Sequence, residues 1–283
     1  MNVKVLKPYG FCAGVEYVIK TLDKAVNDNN GKQVYCIGDL VHNDEVINYV
    51  KSKGVKVISG NKEEAIDSID FGVVVFSAHG TSDKIIQKAI DKGLVVYDAA
   101  CPFVKKELLD IKKYIEKDYD VLFIGIPGHD EANAVLSISS KIHLIAHLSD
   151  VEQININNKK IVVINQTTLS TDELHYIHFA IKKRFPYAVF EDEICNSSRI
   201  RQKRLLSEAN DYDLVIVVGD KHSNNTQTLF KMAKEKYCNA INISSKEQLH
   251  TFDLHKTQNV LILSGASVMK EKVEEIIKFL KNL

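Results

Sequence analysis

Three cysteines recur at near-equal intervals along this chain of 283 residues: Cys12, Cys101 and Cys195 lie 89 and 94 residues apart. Each follows a short apolar run typical of a strand and precedes a run with helical periodicity. One cysteine at the same corner of each of three repeats adds little to a hydrophobic core. Three thiolates gathered on a pseudo-threefold axis would instead bind a metal cluster, and we expect that arrangement here.

The number of cysteines favours iron–sulfur chemistry. Structural zinc usually takes four protein ligands, and a [4Fe–4S] cluster normally takes four cysteines. With only three, one iron has no protein ligand and can bind substrate, as catalytic metal sites with an open position do. The chain has no C-x-x-C motif, so a zinc ribbon or thioredoxin-like motif is not supported. A non-redox module with zinc on the three cysteines remains an alternative.

The two other cysteines fit a packing role. Cys36 lies inside a strand-like run and Cys238 follows a helical one, and cysteine is often a small buried hydrophobe. Five scattered cysteines, an odd number, argue against a disulfide framework.

A repeated order of elements follows each of the three spaced cysteines. A helix leads to a buried strand with a polar loop, and then a second helix and a short strand lead to another buried strand with a polar loop. The loop residues are His42, His129 and Ser223, at 30, 28 and 28 residues from the cysteine, and His79, Thr167 and Ser267, at 67, 66 and 72. Val/Ile/Leu-rich strands alternating with helices predict parallel sheets covered on both faces, and such sheets bind ligands beyond the carboxyl ends of their strands.

The predicted fold is therefore α/β, with three pseudo-threefold-related units and mainly parallel sheets around a central iron–sulfur site. We expect the units to span residues 1–99, 100–193 and 194–283. No long Pro/Gly/Ser-rich linker separates them, so tight packing is expected.

Charge and hydropathy limit the partners. Lys and Arg number 37, as do Asp and Glu, so the formal net charge is +0 and no bulk attraction to nucleic acid or membrane is expected. No apolar run of about 18 residues predicts a membrane span. The first residues lack the pattern of a signal or transit peptide, which favours a cytoplasmic location.

Several loops combine hydroxyl and amide side chains with the start of a helix: INQTTLS, GDKHSNNTQ and LSGAS. Helix N-termini with such donors cap themselves in many proteins, and they also form phosphate sites. Neither a Walker sequence nor G-x-G-x-x-G is present, so a nucleotide site of those kinds is not indicated.

Nine motifs occur in one order along essentially the whole chain: GFCAGV, VHN, SAHG, DAACP, GHDE, QTTLS, EICNSSR, HSNNT and SGAS. In this set the chain resembles the 4-hydroxy-3-methylbut-2-enyl diphosphate reductase family, the LytB/IspH proteins. The resemblance implies a [4Fe–4S] enzyme with three cysteine ligands and one open iron. Such an enzyme reductively removes the C4 hydroxyl of its allylic diphosphate, giving isopentenyl and dimethylallyl diphosphate in the last step of the non-mevalonate (MEP/DOXP) isoprenoid pathway.

The resemblance also implies residue roles. It makes Cys12, Cys101 and Cys195 the cluster ligands, and Glu131 and Thr167 the catalytic pair for proton delivery near the substrate hydroxyl. The substrate-binding set that it implies is His42, His79, His129, Thr167, Ser223, Asn224, Asn225 and Ser267. A ferredoxin or flavodoxin is the expected electron donor, since no flavin or nicotinamide motif is visible.

Four positions depart from the family pattern. Ala100 replaces a threonine, Asp130 and Met269 replace prolines, and Asn224 replaces a serine, although its amide can still donate a hydrogen bond. None removes a cluster ligand or Glu131.

Another iron–sulfur enzyme remains an alternative function, either a quinolinate-synthase-like condensing enzyme or a hydro-lyase. Such enzymes can also combine three cysteines with an open iron, but a lyase turns over without net reductant.

Overall fold

The computed structural model describes residues 1–191, 194–237 and 239–282. Cys238 and the predicted boundary at residue 193 lie outside these ranges.

The strands are β1 Asn2–Val5, β2 Val34–Ile37, β3 Lys56–Ile58, β4 Val73–Phe76, β5 Val95–Asp98, β6 Asp120–Ile124, β7 Ile142–Ile145, β8 Ile161–Asn165, β9 Val189–Phe190, β10 Leu214–Val218, β11 Ala240–Ile243 and β12 Asn259–Ser264. The helices are α1 Ala13–Asp28, α2 Asp44–Ser52, α3 Lys62–Asp67, α4 Asp83–Asp91, α5 Pro102–Glu116, α6 Asp130–Leu136, α7 Asp150–Gln153, α8 Thr171–Arg184, α9 Asn196–Ser207, α10 Asn224–Lys236 and α11 Lys270–Lys281, with a short 3-10 helix at Lys246–Thr251.

The strands form three parallel sheets of four strands each, which confirms the predicted α/β class. Sheet I has the order β1-β12-β10-β11, sheet II β3-β2-β4-β5 and sheet III β7-β6-β8-β9. Every strand pair in them is parallel. In each sheet the two long middle strands are neighbours, so the loops that follow them leave the same sheet edge side by side.

The middle strands are mainly apolar because both of their faces are covered. All five residues of β10 are buried. Leu214, Ile216 and Val218 pack into one hydrophobic cluster, whereas Val215 and Val217 pack into another. This alternation places successive side chains on opposite faces of the sheet, and it explains why the strands show continuous rather than alternating hydrophobicity.

The chain divides into two compact units. The first contains Met1–Val15, His42–Glu45 and the chain from Cys195 onward, and the second contains Glu16–Val41 and Val46–Ile194. Sheet I belongs to the first unit, and sheets II and III belong to the second.

The first strand belongs to a different sheet from the strand that follows it in sequence. β1 pairs with β12, from Asn2 beside Asn259 to Val5 beside Ile262. The sheets therefore group the beginning of the chain with its last segment, while the division at residues 99 and 193 stays a prediction.

Candidate active site

Each of the three spaced cysteines directly precedes a helix, as the repeat predicts. The residues after Cys12, Cys101 and Cys195 begin α1, α5 and α9. At Cys12 the sulfur accepts a hydrogen bond of 3.4 Å from the backbone N–H of Val15. The N–H groups of the first helical turn have no partner inside the helix, so they can donate to a sulfur at such positions. All three side chains are partly exposed, so each sulfur is accessible to a ligand.

The first unit contains two of these cysteines and a buried cation. Arg201 on α9 is 4 % exposed. Its guanidinium donates to the carbonyl oxygens of Gly10 at 2.8 Å and Ser264 at 3.2 Å. Burial lowers the pKa of Arg201, and the charges of Cys12 and Cys195 raise it. Arg201 thus joins the loop before one cysteine to the helix after the other and offers them a positive charge.

The predicted anion-binding residues of the first unit cluster at the carboxyl end of sheet I. Ser223 precedes α10 after β10, and its Oγ accepts a hydrogen bond of 3.4 Å from the N–H of Thr226. Asn225 accepts from the N–H of Ala266 at 3.0 Å through Oδ1 and donates to Ser198 Oγ at 2.8 Å. Asn225 therefore ties the loop after β12 to the first turn of α9.

The segment carrying His42 is held against the same loops. Asn43 donates through Nδ2 to the carbonyl oxygen of Ser267 at 2.8 Å. The N–H of Asp44 donates to Asp220 at 3.2 Å. The structure thus brings the His42 segment to the loops of Ser223 and Ser267 within this unit.

Two of the predicted substrate-binding residues in the first unit have a buried polar atom without a hydrogen-bond partner. Within the described ranges, neither Ser267 Oγ nor Asn224 Nδ2 has a hydrogen-bond partner. A buried polar group without a partner costs free energy of about 1–3 kcal/mol. Both atoms can therefore gain from an anion with acceptor oxygens.

Two glycines let α10 approach sheet I closely. Gly219, with φ +150°, follows β10, and Gly265 follows β12. A Cβ at either position would overlap the side chain of Thr226, so only glycine allows the start of α10 to lie against these strand ends.

The second unit contains Cys101 and two of the predicted substrate-binding histidines, His79 and His129. The N–H of Cys101 donates to the carbonyl oxygen of Ala78 at 2.9 Å, which ties the cysteine to the loop of His79. The rings of His79 and His129 meet edge to face with centroids 5.4 Å apart. His129 caps α6, with its Nδ1 accepting from the N–H of Glu131 at 3.1 Å. A neutral imidazole in that role carries its proton on Nε2, which can donate to an anion.

Glu131 and Thr167 form a buried pair across the neighbouring strands of sheet III. They lie in the loops and helix start that follow β6 and β8, and they are 1 % and 4 % exposed. The N–H of Thr167 donates to Oε1 of Glu131 at 2.6 Å and its hydroxyl donates to Oε2 at 3.0 Å. Burial raises the pKa of Glu131 to about 7, although the hydrogen bonds lower it. A carboxyl group with this pKa can be a proton donor near neutral pH.

The sequence and structure comparisons identify the family. The sequence model of the family described as LytB protein matches residues 3–281. This chain belongs to the LytB family.

Two relatives of this chain carry the same reductase name. The LytB chain is 33% identical over 285 residues to the 4-hydroxy-3-methylbut-2-enyl diphosphate reductase of Anoxybacillus flavithermus, covering 99% of this chain and 90% of that protein. It is 35% identical over 286 residues to the protein of the same name from an Exiguobacterium species, again covering 99% and 90%.

Two solved structures share the fold. The E-1-hydroxy-2-methyl-but-2-enyl-4-diphosphate reductase of Plasmodium falciparum gives a TM-score of 0.91 at 27% identity, covering 99% of this chain and 88% of that one. An (E)-4-hydroxy-3-methyl-but-2-enyl diphosphate reductase, described as the terminal enzyme of the non-mevalonate pathway, gives 0.71 at 25% identity, covering 100% and 99%.

The site residues predicted from the sequence of this LytB protein do not include Arg201. The buried residues of α9 include Ser198, Arg201, Gln202 and Leu205, the spacing of a core-facing stripe. A charged residue in such a stripe is the signal that would have identified Arg201.

Asp130, one of the departures from the family pattern, also has a partner that the sequence did not indicate. Lys62 Nζ lies 3.0 Å from its Oδ2.

Among the described residues, no helix has the length and apolar character needed to cross a bilayer.

Proposed function

We propose that this protein is a 4-hydroxy-3-methylbut-2-enyl diphosphate reductase, an oxidoreductase of isoprenoid biosynthesis. The observation that carries the proposal is the identity of 33–35% to enzymes of that name over 99% of the chain. The buried acid Glu131 and the partnerless donors of the first unit supply chemistry that suits this substrate.

The reaction breaks the bond between C4 and its hydroxyl oxygen. Two electrons and two protons are consumed, one proton joining the oxygen, which leaves as water, and one joining the allylic carbon. The products are isopentenyl and dimethylallyl diphosphate. Hydroxide is a poor leaving group, so proton delivery to the oxygen lowers the barrier.

Cys12, Cys101 and Cys195 are the residues that would hold a [4Fe–4S] cluster with one open iron. The fit rests on their equivalent positions directly before α1, α5 and α9 and on the charge of Arg201 beside Cys12 and Cys195. When bound, such a cluster supplies electrons and Lewis acidity.

We assign the diphosphate to imidazole, hydroxyl and amide donors rather than to a cluster of lysines, in agreement with the neutral net charge. The assigned residues are His42, His79, His129, Ser223, Asn224, Asn225 and Ser267. The support is local: Ser267 Oγ and Asn224 Nδ2 are buried polar atoms without hydrogen-bond partners in the described chain. Diphosphate binding at a distance from the reacting carbon would use remote binding energy to position the allyl group.

Glu131 and Thr167 are assigned to proton delivery. Thr167 holds both oxygens of Glu131, so the acid has a fixed orientation. When Glu131 loses its proton, the same two donors stabilise the carboxylate that it becomes. A ferredoxin or flavodoxin is the proposed electron donor.

Anaerobic turnover tests the proposal. The reconstituted holoprotein is supplied with the allylic diphosphate and a chemical reductant, and the products are separated. Formation of isopentenyl and dimethylallyl diphosphate only when reductant is present supports the proposal. Turnover without net reductant would indicate a hydro-lyase, and a colourless protein with stoichiometric zinc and no turnover would indicate the zinc module.

A further inference from the structure

Two large aromatic side chains are exposed side by side on α8, in the second unit. Tyr176 is 69% exposed and Phe179 is 70% exposed. Residues three positions apart are neighbours on a helix surface, so the two rings form one apolar patch. The helix packs on the core of its unit through another face, where Leu174 and Ile181 are buried. The core therefore does not explain why α8 carries aromatic residues on its outer face.

The aromatic patch is the middle of a longer stripe along the same helix. The α8 stripe consists of Asp172, Tyr176, Phe179 and Lys183, which are all exposed and follow one another at intervals of four, three and four residues. With 3.6 residues per turn, these four side chains leave the helix within an arc of about 60°. Intervals of four and three are also those of the seam of a coiled coil. The α8 stripe therefore has the geometry of a surface that packs lengthwise on another helix.

The two ends of the α8 stripe carry opposite charges. Asp172 lies in the first turn of the helix, and Lys183 lies in its last turn. The helix dipole favours an acid at the first position and a base at the second, so the charges alone do not indicate a partner. Together with the two rings between them, however, they make a symmetric order: acid, aromatic, aromatic, base. A surface with this order is complementary to a reversed copy of itself.

An antiparallel second α8 matches the stripe at each of its four positions. With a two-fold axis between Tyr176 and Phe179, the tyrosine of each copy faces the phenylalanine of the other. Asp172 of each copy likewise faces Lys183 of the other, so every contact occurs twice, as a two-fold interface requires. A parallel pair of helices would instead bring like charges together, which is unfavourable. The charges therefore select the antiparallel arrangement.

We propose that the α8 stripe is a self-association surface and that a second copy of this chain covers it, packed antiparallel. Tyr176 and Phe179 form the centre of this interface, and ion pairs between Asp172 and Lys183 form its two ends. Because α8 is about 21 Å long and about 10 Å wide, its face is smaller than the roughly 800 Å² per partner of a standard interface. The dimer should therefore be weak and concentration-dependent. The inference is independent of the proposed function, since it uses no residue of the candidate active site.

Sedimentation velocity of the anaerobically purified protein, from about 1 μM to about 1 mM, covers the range of a weak interface. The mean mass should rise from one chain toward two. Phe179→Asp should keep the mass at one chain, because it places a charge in the apolar centre. Phe71→Asp is the matched control, since Phe71 is 78% exposed and lies outside α8, and it should associate like the wild type. A wild type that stays monomeric throughout, or association that survives in Phe179→Asp or is lost in Phe71→Asp, would overturn the proposal.

Charge exchange tests the pairing of the two ends and does not depend on the Phe179 variant. Asp172→Lys and Lys183→Asp each place like charges opposite one another, so each variant alone should dimerise about tenfold more weakly than the wild type. An equimolar mixture of the two variants should recover association close to that of the wild type, because every charge then faces one of opposite sign. Circular dichroism of each variant checks that the helices are retained. A mixture that associates no better than the separate variants would show that Asp172 and Lys183 do not pair between copies.

Discussion

Lys62 Nζ lies 3.0 Å from Oδ2 of Asp130, the residue that stands where the family pattern has a proline. The Lys62 side chain is 11% exposed. It also donates to the carbonyl oxygen of Gly80 at 2.9 Å and lies 3.3 Å from Ser77 Oγ. One ammonium group thus joins the loop carrying His79 to the start of the helix carrying Glu131.

Lys62→Met should lower the free energy of unfolding by about 1–3 kcal/mol, because the carboxylate and the carbonyl oxygen lose their shared partner. Chemical denaturation measures this. Lys84→Met is the matched control, since Lys84 is 79% exposed and its ion pair with Glu63 lies at the surface, where a loss within about 0.5 kcal/mol is expected. Equal losses in the two variants would show that the Lys62 contacts contribute no more than a surface ion pair.

Cys101→Ser should remove most of the visible absorbance at about 410 nm of the anaerobically purified protein, because a cluster with three cysteine ligands loses one of them. Cys36→Ala is the control. Burial raises the pKa of the Cys36 thiol to about 12, so this residue stays a thiol and its variant should keep the absorbance. An intact cluster with full turnover in Cys101→Ser would remove the residue from the ligand set.

Glu131→Gln should abolish most of the turnover while the cluster and substrate binding are kept. The same variant should also change how the free energy of unfolding depends on pH. The folded pKa of Glu131, about 7, lies above its ordinary value of 4.5. The protonated form stabilises the fold fully below pH 4.5, and this contribution is lost as the pH rises through 7. Relative to the wild type, the Gln variant should therefore gain stability between pH 5 and pH 8, as measured by denaturation at each pH.

Glu208→Gln provides a control of opposite sign. A hydrogen bond from Lys4 lowers the pKa of Glu208, so its contribution is present at neutral pH and lost in acid. Relative to the wild type, this variant should lose more stability at pH 8 than at low pH. If Glu131→Gln gave the same sign as Glu208→Gln, Glu131 would not have a raised pKa.

Arg201→Met should destabilise the protein by about 2–4 kcal/mol, since the carbonyl oxygens of Gly10 and Ser264 lose a buried charged donor. The reduction potential of the bound cluster should also fall, because a positive charge beside Cys12 and Cys195 favours the added electron. Denaturation and redox titration measure the two effects. Arg204→Met is the control on the exposed side of α9, and a potential unchanged in both variants would contradict the electrostatic role.

The strands and the polar loops were predictable because their signal is local. Runs such as LVIVV are buried on both faces, and the polar residue after each run follows from the position of the strand end. The same logic placed Glu131 and Thr167, which follow the neighbouring strands β6 and β8.

Contacts between segments distant in sequence could not be predicted in the same way. The bond between Lys62 and Asp130 depends on how α3 and α6 approach each other, and neither residue has a periodic pattern that indicates the other. Glu107 and Arg201 are intermediate cases, because each is a charged residue at a position where its helix is otherwise buried. The carbonyl partners of Arg201 became visible only with the fold.

The pairing of β1 with β12 affects the order in which the protein can assemble during synthesis. Asn2 pairs with Asn259, and the N–H of Cys12 donates to the carbonyl oxygen of Ala266 at 2.9 Å. The ribosome makes Asn2 and Cys12 long before Asn259 and Ala266, because the partners lie 257 and 254 residues apart in sequence (259 − 2 and 266 − 12). The nascent chain therefore carries Cys12 without its Ala266 partner while all the strands of sheets II and III, from β2 to β9, are being made. Assembly of the proposed cluster, if it needs Cys12 in its native position, must then wait until Ala266 has been made.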